Sequence, residues 1–103
     1  MVDPITVLTT PEYDRWRDAI KDSASRNRIG ARIIRLQVGL FGDTRSVGSG
    51  VSELKLDFGP GYRIYFARRG NLVVILLLGG DKSSQTRDIA TAHEIWERWK
   101  DGK

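Results

Sequence analysis

The run from Leu72 to Leu78 limits the possible folds more than any other part of the chain, because all of its residues are apolar. The run is far shorter than the ~20 apolar residues that a membrane-spanning helix needs. A short run of Leu, Val and Ile between glycine-containing turns favours a strand with both faces covered. The sequence therefore predicts a sheet with this strand in its interior.

Two further strands precede this run and form a meander with it. From Val51 to Phe58, apolar residues alternate with Glu53, Lys55 and Asp57, which is the pattern of a strand with one face in solvent. Tyr62 to Arg68 follows after a Gly-Pro-Gly turn and is predicted as the next strand. Short turns separate all three strands, so we expect them to pair antiparallel.

The rest of the chain predicts helices around this sheet. Apolar residues recur at spacings of three and four, and the first helix begins with a Thr-Pro start signal. Phe41–Gly50 contains three glycines and is predicted as a loop. We expect one α+β domain over residues 1–103 in the order β-α-α-β-β-β-α, with the antiparallel meander packed against helices. The remaining elements are predicted at Ile5–Leu8 (strand), Pro11–Ser23, Asn27–Gly39 and Ser83–Lys100 (helices).

The composition excludes several classes of function. The chain has no cysteine and one histidine, so it has no disulfide, no thiolate zinc site, no thiol nucleophile and no histidine cluster for a metal. We expect no cofactor. The N-terminus, Met-Val-Asp-Pro, lacks the positive and apolar segments of a secretory signal, so we expect a cytoplasmic protein without a membrane partner.

Positive charge is concentrated in the middle of the chain. The net charge is +4, but residues 26–69 alone carry nine positive and three negative side chains. This distribution favours a polyanionic partner such as nucleic acid, although many solvated surfaces are also basic. Arg28, Arg32 and Arg35 of the second helix fit either a solvated face or a patch for an acidic partner or rRNA.

Three cations fall where the meander would bring them together. Lys55 and Arg63 lie on the strand faces opposite the apolar ones, and Arg63 shares its face with Tyr65, so we expect all three side chains in solvent. Lys82 follows the last strand at the start of the last helix, where backbone N–H groups favour an anion. The three cations could converge on one phosphate. A polar sheet face with weak surface salt bridges explains the same residues.

Other residues have simpler structural interpretations. Gly79-Gly80 lacks the spacing of a Walker motif and fits a strand exit better than a phosphate loop. His93 lies beside the apolar stripe of the last helix, so we expect it to be packed rather than catalytic. The three tryptophans are better explained as core anchors than as base-stacking residues. We expect Glu53 and Asp57 to be charge partners.

The meander also resembles a known family. The similarity extends over about Glu12 to Ala92 and includes the runs Gly50–Phe66 and Leu76–Gln85. In these runs the chain resembles the addiction-module killer family, which is the HigB-type, phage-protein-like branch of the RelE superfamily of toxin–antitoxin toxins.

This resemblance implies a small α+β toxin that cleaves translated mRNA in the ribosomal decoding site without a metal. It implies three partners: mRNA, the ribosome and a cognate antitoxin, typically a helix-turn-helix protein. Carried over to this chain, it implies that Arg63, Lys55 and Lys82 are basic positions of the RNA site. From their chemistry we expect Arg63 and Lys82 to clamp phosphate, Lys55 to be a base or electrostatic aid, and Tyr65 to orient the substrate or act as an acid.

The chain departs from the pattern of the family at two places. Glu53 stands where the best-studied relatives have a further basic residue, two positions before Lys55, and nothing near the C-terminus matches their catalytic tyrosine securely. The alternative function is a non-catalytic module that binds protein or nucleic acid, such as a toxin relic that only complexes an antitoxin.

Overall fold

The computed structural model describes residues 3–102 and has the predicted α+β architecture. Its helices pack on one mixed sheet, so the predicted fold class is confirmed. The strands are β1 Thr6–Thr9, β2 Thr44–Gly48, β3 Val51–Lys55, β4 Tyr62–Arg69 and β5 Val73–Asp81. The helices are α1 Pro11–Ala19, α2 Ser23–Gln37 and α3 Gln85–Gly102, with a 3-10 turn, Lys82–Ser84, directly before α3.

The sheet has the strand order β1-β5-β4-β3-β2. β1 pairs with β5 in parallel, whereas β5, β4, β3 and β2 pair antiparallel in sequence. β5 therefore has a neighbour on each side, as its apolar run predicted. Within residues 3–102, none of the helices combines the length and the apolar character needed to cross a membrane.

The segment predicted as a loop contains strand β2, so that prediction is wrong. Thr44–Gly48 pairs antiparallel with β3 and has a bulge between Ser46 and Gly48. Only Val47 of this strand is apolar, and glycines flank and end it, so the segment lacks the alternation that identifies a strand. β2 is an edge strand that is held mainly by its pairing with β3.

Both faces of the sheet are covered by helices. On one face α1 and α2 form a core with β3, β4 and β5, in which Ile29, Leu36, Leu54, Ile64 and Phe66 are at most 2% exposed. On the other face α3 forms a second core, which includes Val51, Tyr65, Ile75, Leu77 and Ile95.

The second core overturns the expectation of a solvated face on the meander. α3 packs across this face because Ala92, Ile95 and Trp96 present an apolar stripe to it. Sequence alternation identified the first apolar face correctly, but it could not show that a helix covers the opposite one. Lys55, at one end of this face, stays exposed to solvent.

Gly79 and Gly80 lie inside β5, so the prediction of a strand exit is wrong. A Cβ atom on Gly79 would lie 2.1 Å from the Trp16 ring of α1, and one on Gly80 would lie 1.9 Å from a carboxylate oxygen of Asp88 in α3. The glycine pair therefore lets a helix approach the backbone of β5 from each side.

Candidate nucleic-acid interface

Lys55, Arg63 and Lys82 line one open depression of about 540 Å³, which we call the cationic groove. The strand register places Lys55 opposite Arg63, and Arg63 opposite Gly80. Lys82 follows directly after β5. The three cations that the sequence predicted to converge therefore meet at one end of the sheet.

The turn between β3 and β4 forms a wall of this groove. It is closed by a hydrogen bond from the Gly61 N–H to the Phe58 carbonyl oxygen, at 3.1 Å. Gly61 has a φ of +78°, and a Cβ atom there would lie 3.2 Å from Lys82 Cβ and 3.4 Å from Arg63 Nη1. Glycine at this position lets the backbone turn and lets the two cations approach each other.

Arg63 forms the floor of the groove and is covered, which corrects the prediction that it lies in solvent. Its side chain is only 7% exposed. Nη1 donates hydrogen bonds to the carbonyl oxygens of Gly61 and Tyr62, at 2.8 and 3.2 Å. Nε is buried, has no hydrogen-bond partner among the residues that the structure describes, and lies 4.0 Å from Oε1 of Glu53. The guanidinium is therefore bound on its Nη1 side by the turn and the first residue of β4, and it faces the Glu53 carboxylate on its Nε side.

Glu53 is buried beside Arg63 and joins three elements of the fold. Its Oε1 accepts a hydrogen bond from Arg45 Nε of β2 at 3.0 Å, and its Oε2 accepts one from Gln85 Nε2 of α3 at 2.7 Å. We call these four residues the Glu53 cluster. With Asp43 and Lys55 they line a second depression of about 280 Å³ next to the groove.

The Glu53 carboxylate is held in its charged form. Burial alone would raise the pKa of Glu53, but the hydrogen bonds from Gln85 and Arg45 and the charges of Arg45 and Arg63 outweigh it and lower the pKa below its usual value. The expectation that Glu53 is a charge partner is thus confirmed, but the partners surround a buried carboxylate rather than a surface one.

Tyr65 lies outside the groove, so the prediction that it faces solvent is wrong. Its side chain is fully buried beneath α3, and its hydroxyl group has no hydrogen-bond partner within the described part of the chain. Burial, together with the negative charges of Glu53 and Asp88, raises the pKa of Tyr65, so the phenol keeps its proton.

Lys55 and Lys82 are the exposed cations of the groove. Lys55 is 46% exposed at its side chain and lies 4.0 Å from Asp57, which makes a weak surface pair. The backbone N–H group of Ser83, directly after Lys82, already donates a hydrogen bond to the Asp81 carboxylate at 2.9 Å. It is therefore not free to bind an anion. The ammonium group of Lys82, rather than the start of the helix, is therefore the group that this corner offers to an anion.

The arginines of α2 adjoin the groove through a shared depression. Arg28, Arg32 and Arg35 line a space of about 400 Å³ together with Lys55 and Phe58. The Arg28 guanidinium lies 4.0 Å from the centre of the Phe58 ring, and so makes a cation–π contact. The positive surface therefore continues from the groove onto α2.

His93 is packed far from these cations, as expected. Its Nε2 lies 3.0 Å from the carbonyl oxygen of Val47, near the hairpin between β2 and β3. Within residues 3–102, no three or more Asp, Glu or His side chains are arranged to hold a metal ion.

Arg45 and Gln85 are neighbours of the site that were not predicted from the sequence. Arg45 lies in the segment predicted as a loop, and its register opposite Glu53 becomes visible only once β2 is recognised. Gln85 lies 32 residues from Glu53 in the chain, and no local pattern connects the two.

Comparison with known proteins identifies the class of fold. A solved structure of a mutant of the E. coli toxin RelE in the free state matches with a TM-score of 0.69 and covers 87% of this chain and 94% of that one, at 12% sequence identity. The chain therefore has the RelE fold.

No family model matches the chain. An uncharacterized protein of Haemophilus influenzae strain Rd is 47% identical over 88 residues, which are 85% of this chain and 89% of that protein. The chain belongs to the same family as this Haemophilus protein.

Proposed function

We propose that this protein is the toxin of a type II toxin–antitoxin system, of the HigB-type addiction-module killer branch, and that it is a ribosome-dependent mRNA endoribonuclease. The observation that carries the proposal is the cationic groove of Lys55, Arg63 and Lys82 within a RelE fold. The E. coli protein with this fold is named a toxin. We further propose that the chain acts as a single domain in the cytoplasm.

The proposed reaction uses the RNA's own nucleophile. The 2′-OH loses its proton and its oxygen attacks the adjacent phosphorus, which gives a dianionic phosphorane. The P–O5′ bond then breaks and the leaving 5′-oxygen takes up a proton, so the products are a 2′,3′-cyclic phosphate and a 5′-hydroxyl end. Arg63 and Lys82 would neutralise the charge of the phosphorane, which is the type of stabilisation that preorganised cations supply best. Lys55 would act as an electrostatic aid, because its exposed ammonium group lines the same groove as Arg63 and Lys82.

Dependence on the ribosome follows from the chemistry of these side chains. The cations of the groove are lysine and arginine side chains, and His93, the single histidine, is bound to Val47 at the other end of the sheet. A site of this composition stabilises charge better than it moves protons. An mRNA already bent into in-line geometry in the decoding site would supply the remaining rate acceleration, since orientation alone can lower the barrier by ~7–11 kcal/mol.

A cleavage assay on programmed ribosomes tests the proposal. We expect the purified protein to cut mRNA near the A-site codon without added metal and to leave free single-stranded RNA nearly intact. Lys55→Ala and Lys82→Ala should each slow cleavage, whereas Lys100→Ala should not. Lys100 is a matched control because it is also paired on the surface and its side chain is 42% exposed. Rapid cleavage of naked RNA, or wild-type rates for both groove variants, would contradict the mechanism.

The proposed partner is a cognate antitoxin, of the helix-turn-helix type that the resemblance implies. Its inhibitory segment should be acidic or amphipathic, because it would have to cover the positive surface. Co-expression with the product of a neighbouring reading frame should restore growth and yield a stable complex. Failure with both neighbours would remove the toxin–antitoxin part of the proposal.

A catalytically inactive binding module is the second candidate function. The low solvent exposure of the Arg63 side chain favours it. Arg63 is 7% exposed and its Nη1 is already engaged by backbone carbonyls. Under this candidate the protein would bind the antitoxin without cutting mRNA on ribosomes. The two assays above therefore separate the candidates.

A further inference from the structure

The Glu53 cluster contains more positive charge than one carboxylate neutralises. Arg45 and Arg63 of the cluster lie 3.0 and 4.0 Å from the same oxygen, Oε1 of Glu53. Lys55 and Asp43 line the same depression. Without Glu53 these cations would repel one another across a partly buried site, where such charges interact more strongly than in water. The carboxylate thus allows them to be packed closely.

Glu53 also fixes the start of α3 relative to the sheet. Its two oxygens are used differently: Oε1 faces the guanidinium groups of β2 and β4, and Oε2 accepts the hydrogen bond from Gln85 at the first position of α3. The 3-10 turn that holds Lys82 comes directly before Gln85. One buried side chain therefore contacts or adjoins every element that supplies a cation to the groove.

We propose that Glu53 is a positioning residue, whose buried carboxylate holds the Arg63 and Arg45 guanidinium groups in register with the cationic groove and anchors the start of α3 beside it. The inference rests on the proposed function, because it assigns the cluster to the orientation of groups that act on RNA phosphate. Glu53 itself lies beneath these groups and acts through them.

A residue that only stabilised the fold would behave differently from a positioning residue. Glu53→Gln keeps the size of the side chain and removes its charge, which makes the site more positive by one. Electrostatics then predicts that RNA binds at least as tightly, so KM should not rise. Loss of orientation predicts that kcat falls, by about 100-fold if Arg63 shifts by about 1 Å. A fall in kcat without a rise in KM is the expected signature.

Glu97→Gln is the matched control for the loss of charge. Glu97 lies on α3, twelve residues after Gln85 and hence about 18 Å along the helix, and it pairs with Lys100 on the surface. We expect both kinetic constants of this variant to stay within about twofold of wild type. Glu53→Asp keeps the charge but shortens the side chain, so its kcat should lie between those of wild type and Glu53→Gln.

A second measurement does not depend on RNA cleavage. The Arg63 Nε–H group is buried, so its side-chain NMR resonance should be protected from solvent exchange in the wild-type protein. This resonance should shift or broaden in Glu53→Gln and stay unchanged in Glu97→Gln. If the wild-type protein cuts no mRNA, the proposed function fails, but this resonance still decides whether Glu53 positions Arg63.

The proposal is overturned if Glu53→Gln leaves both the Arg63 resonance and kcat as in wild type. It is also overturned if kcat and KM of Glu53→Gln both equal those of the Glu97→Gln control. Should Glu53→Gln fail to unfold cooperatively, Glu53→Asp decides in its place, and an unchanged Arg63 resonance in that variant rejects the proposal.

Discussion

Gly79→Ala should destabilise the protein by about 3 kcal/mol without altering any side chain of the cationic groove. A Cβ atom at Gly79 would lie 2.1 Å from Cε3 and 2.2 Å from Cδ2 of Trp16, whereas ordinary contacts begin at 3.4 Å. The Trp16 ring packs against Tyr13 and Tyr62, with centroid distances of 5.7 and 5.9 Å. The ring cannot retreat without opening gaps in this aromatic group, because protein interiors are close-packed.

The size of the effect follows from the position of Gly79. Inserting a methyl group into a packed core costs typically 1–3 kcal/mol, and the upper end applies here because the backbone of β5 has a neighbouring strand on each side. In a domain of this size, such a loss lowers Tm by more than about 10 °C. Urea unfolding followed by circular dichroism would measure the free energy directly.

Gly30→Ala is the control for this prediction. Gly30 lies within α2, and a Cβ atom there meets nothing within 4 Å. Alanine favours a helix over glycine by about 1 kcal/mol, so this variant should be more stable than wild type. If Gly79→Ala unfolds within about 0.5 kcal/mol of wild type, the argument from Trp16 packing is refuted.

Three further predictions concern the ionisable and polar groups. Arg63→Ala should lower the free energy of unfolding by about 2 kcal/mol, because it removes the hydrogen bonds of a buried charged group. Lys55 is exposed, so Lys55→Ala should change the free energy of unfolding by less than about 0.5 kcal/mol. Equal effects of the two substitutions in urea unfolding would contradict the burial of Arg63. The pKa of Glu53 is lowered from 4.5 in the folded state, so the stability that its charge contributes is present above pH 4.5 and is lost as the pH falls through the folded pKa. In acid unfolding, Glu53→Gln should therefore lose less stability than wild type. Identical acid-unfolding curves would refute this prediction. Burial raises the pKa of Tyr13 from 10.0 to about 12, so the free energy of unfolding should fall as the pH rises between these values. Tyr13→Phe should lose less stability than wild type over the same range, and an equal loss in alkaline unfolding would contradict the prediction.

The sequence predicted the elements whose local pattern matches their environment. Leu72–Leu78 is apolar throughout because β5 is covered on both faces, and Leu54, Leu56 and Ile64 alternate because they face α1 and α2. β2 was missed because an edge strand is specified by its pairing partner rather than by its own side chains. Edge strands of this kind become visible only from the register of their neighbour.

The convergence of the groove cations was predictable, but their environment was not. Alternation along β3 and β4 places Lys55 and Arg63 on one face, and the antiparallel register makes them neighbours. The burial of Tyr65 depends on α3, which packs on this face from a distant part of the sequence. Arg63 lines one depression with Gln85 at the start of that helix. Alternation shows which side chains share a face, and it does not show what covers that face.

The two sides of the sheet therefore have separable roles in this fold. Gly79 brings α1 against β5 on the side away from the groove, so changes there should alter stability while the cations keep their places. Gly80 brings α3 against β5 on the groove side, where Asp88 accepts a hydrogen bond from Ser84. Because Gln85 at the start of α3 is bound to Glu53, a shift of this helix would move Lys82 and disturb the Glu53 cluster at the same time. Substitutions at the start of α3 should therefore affect the groove even where they touch no RNA.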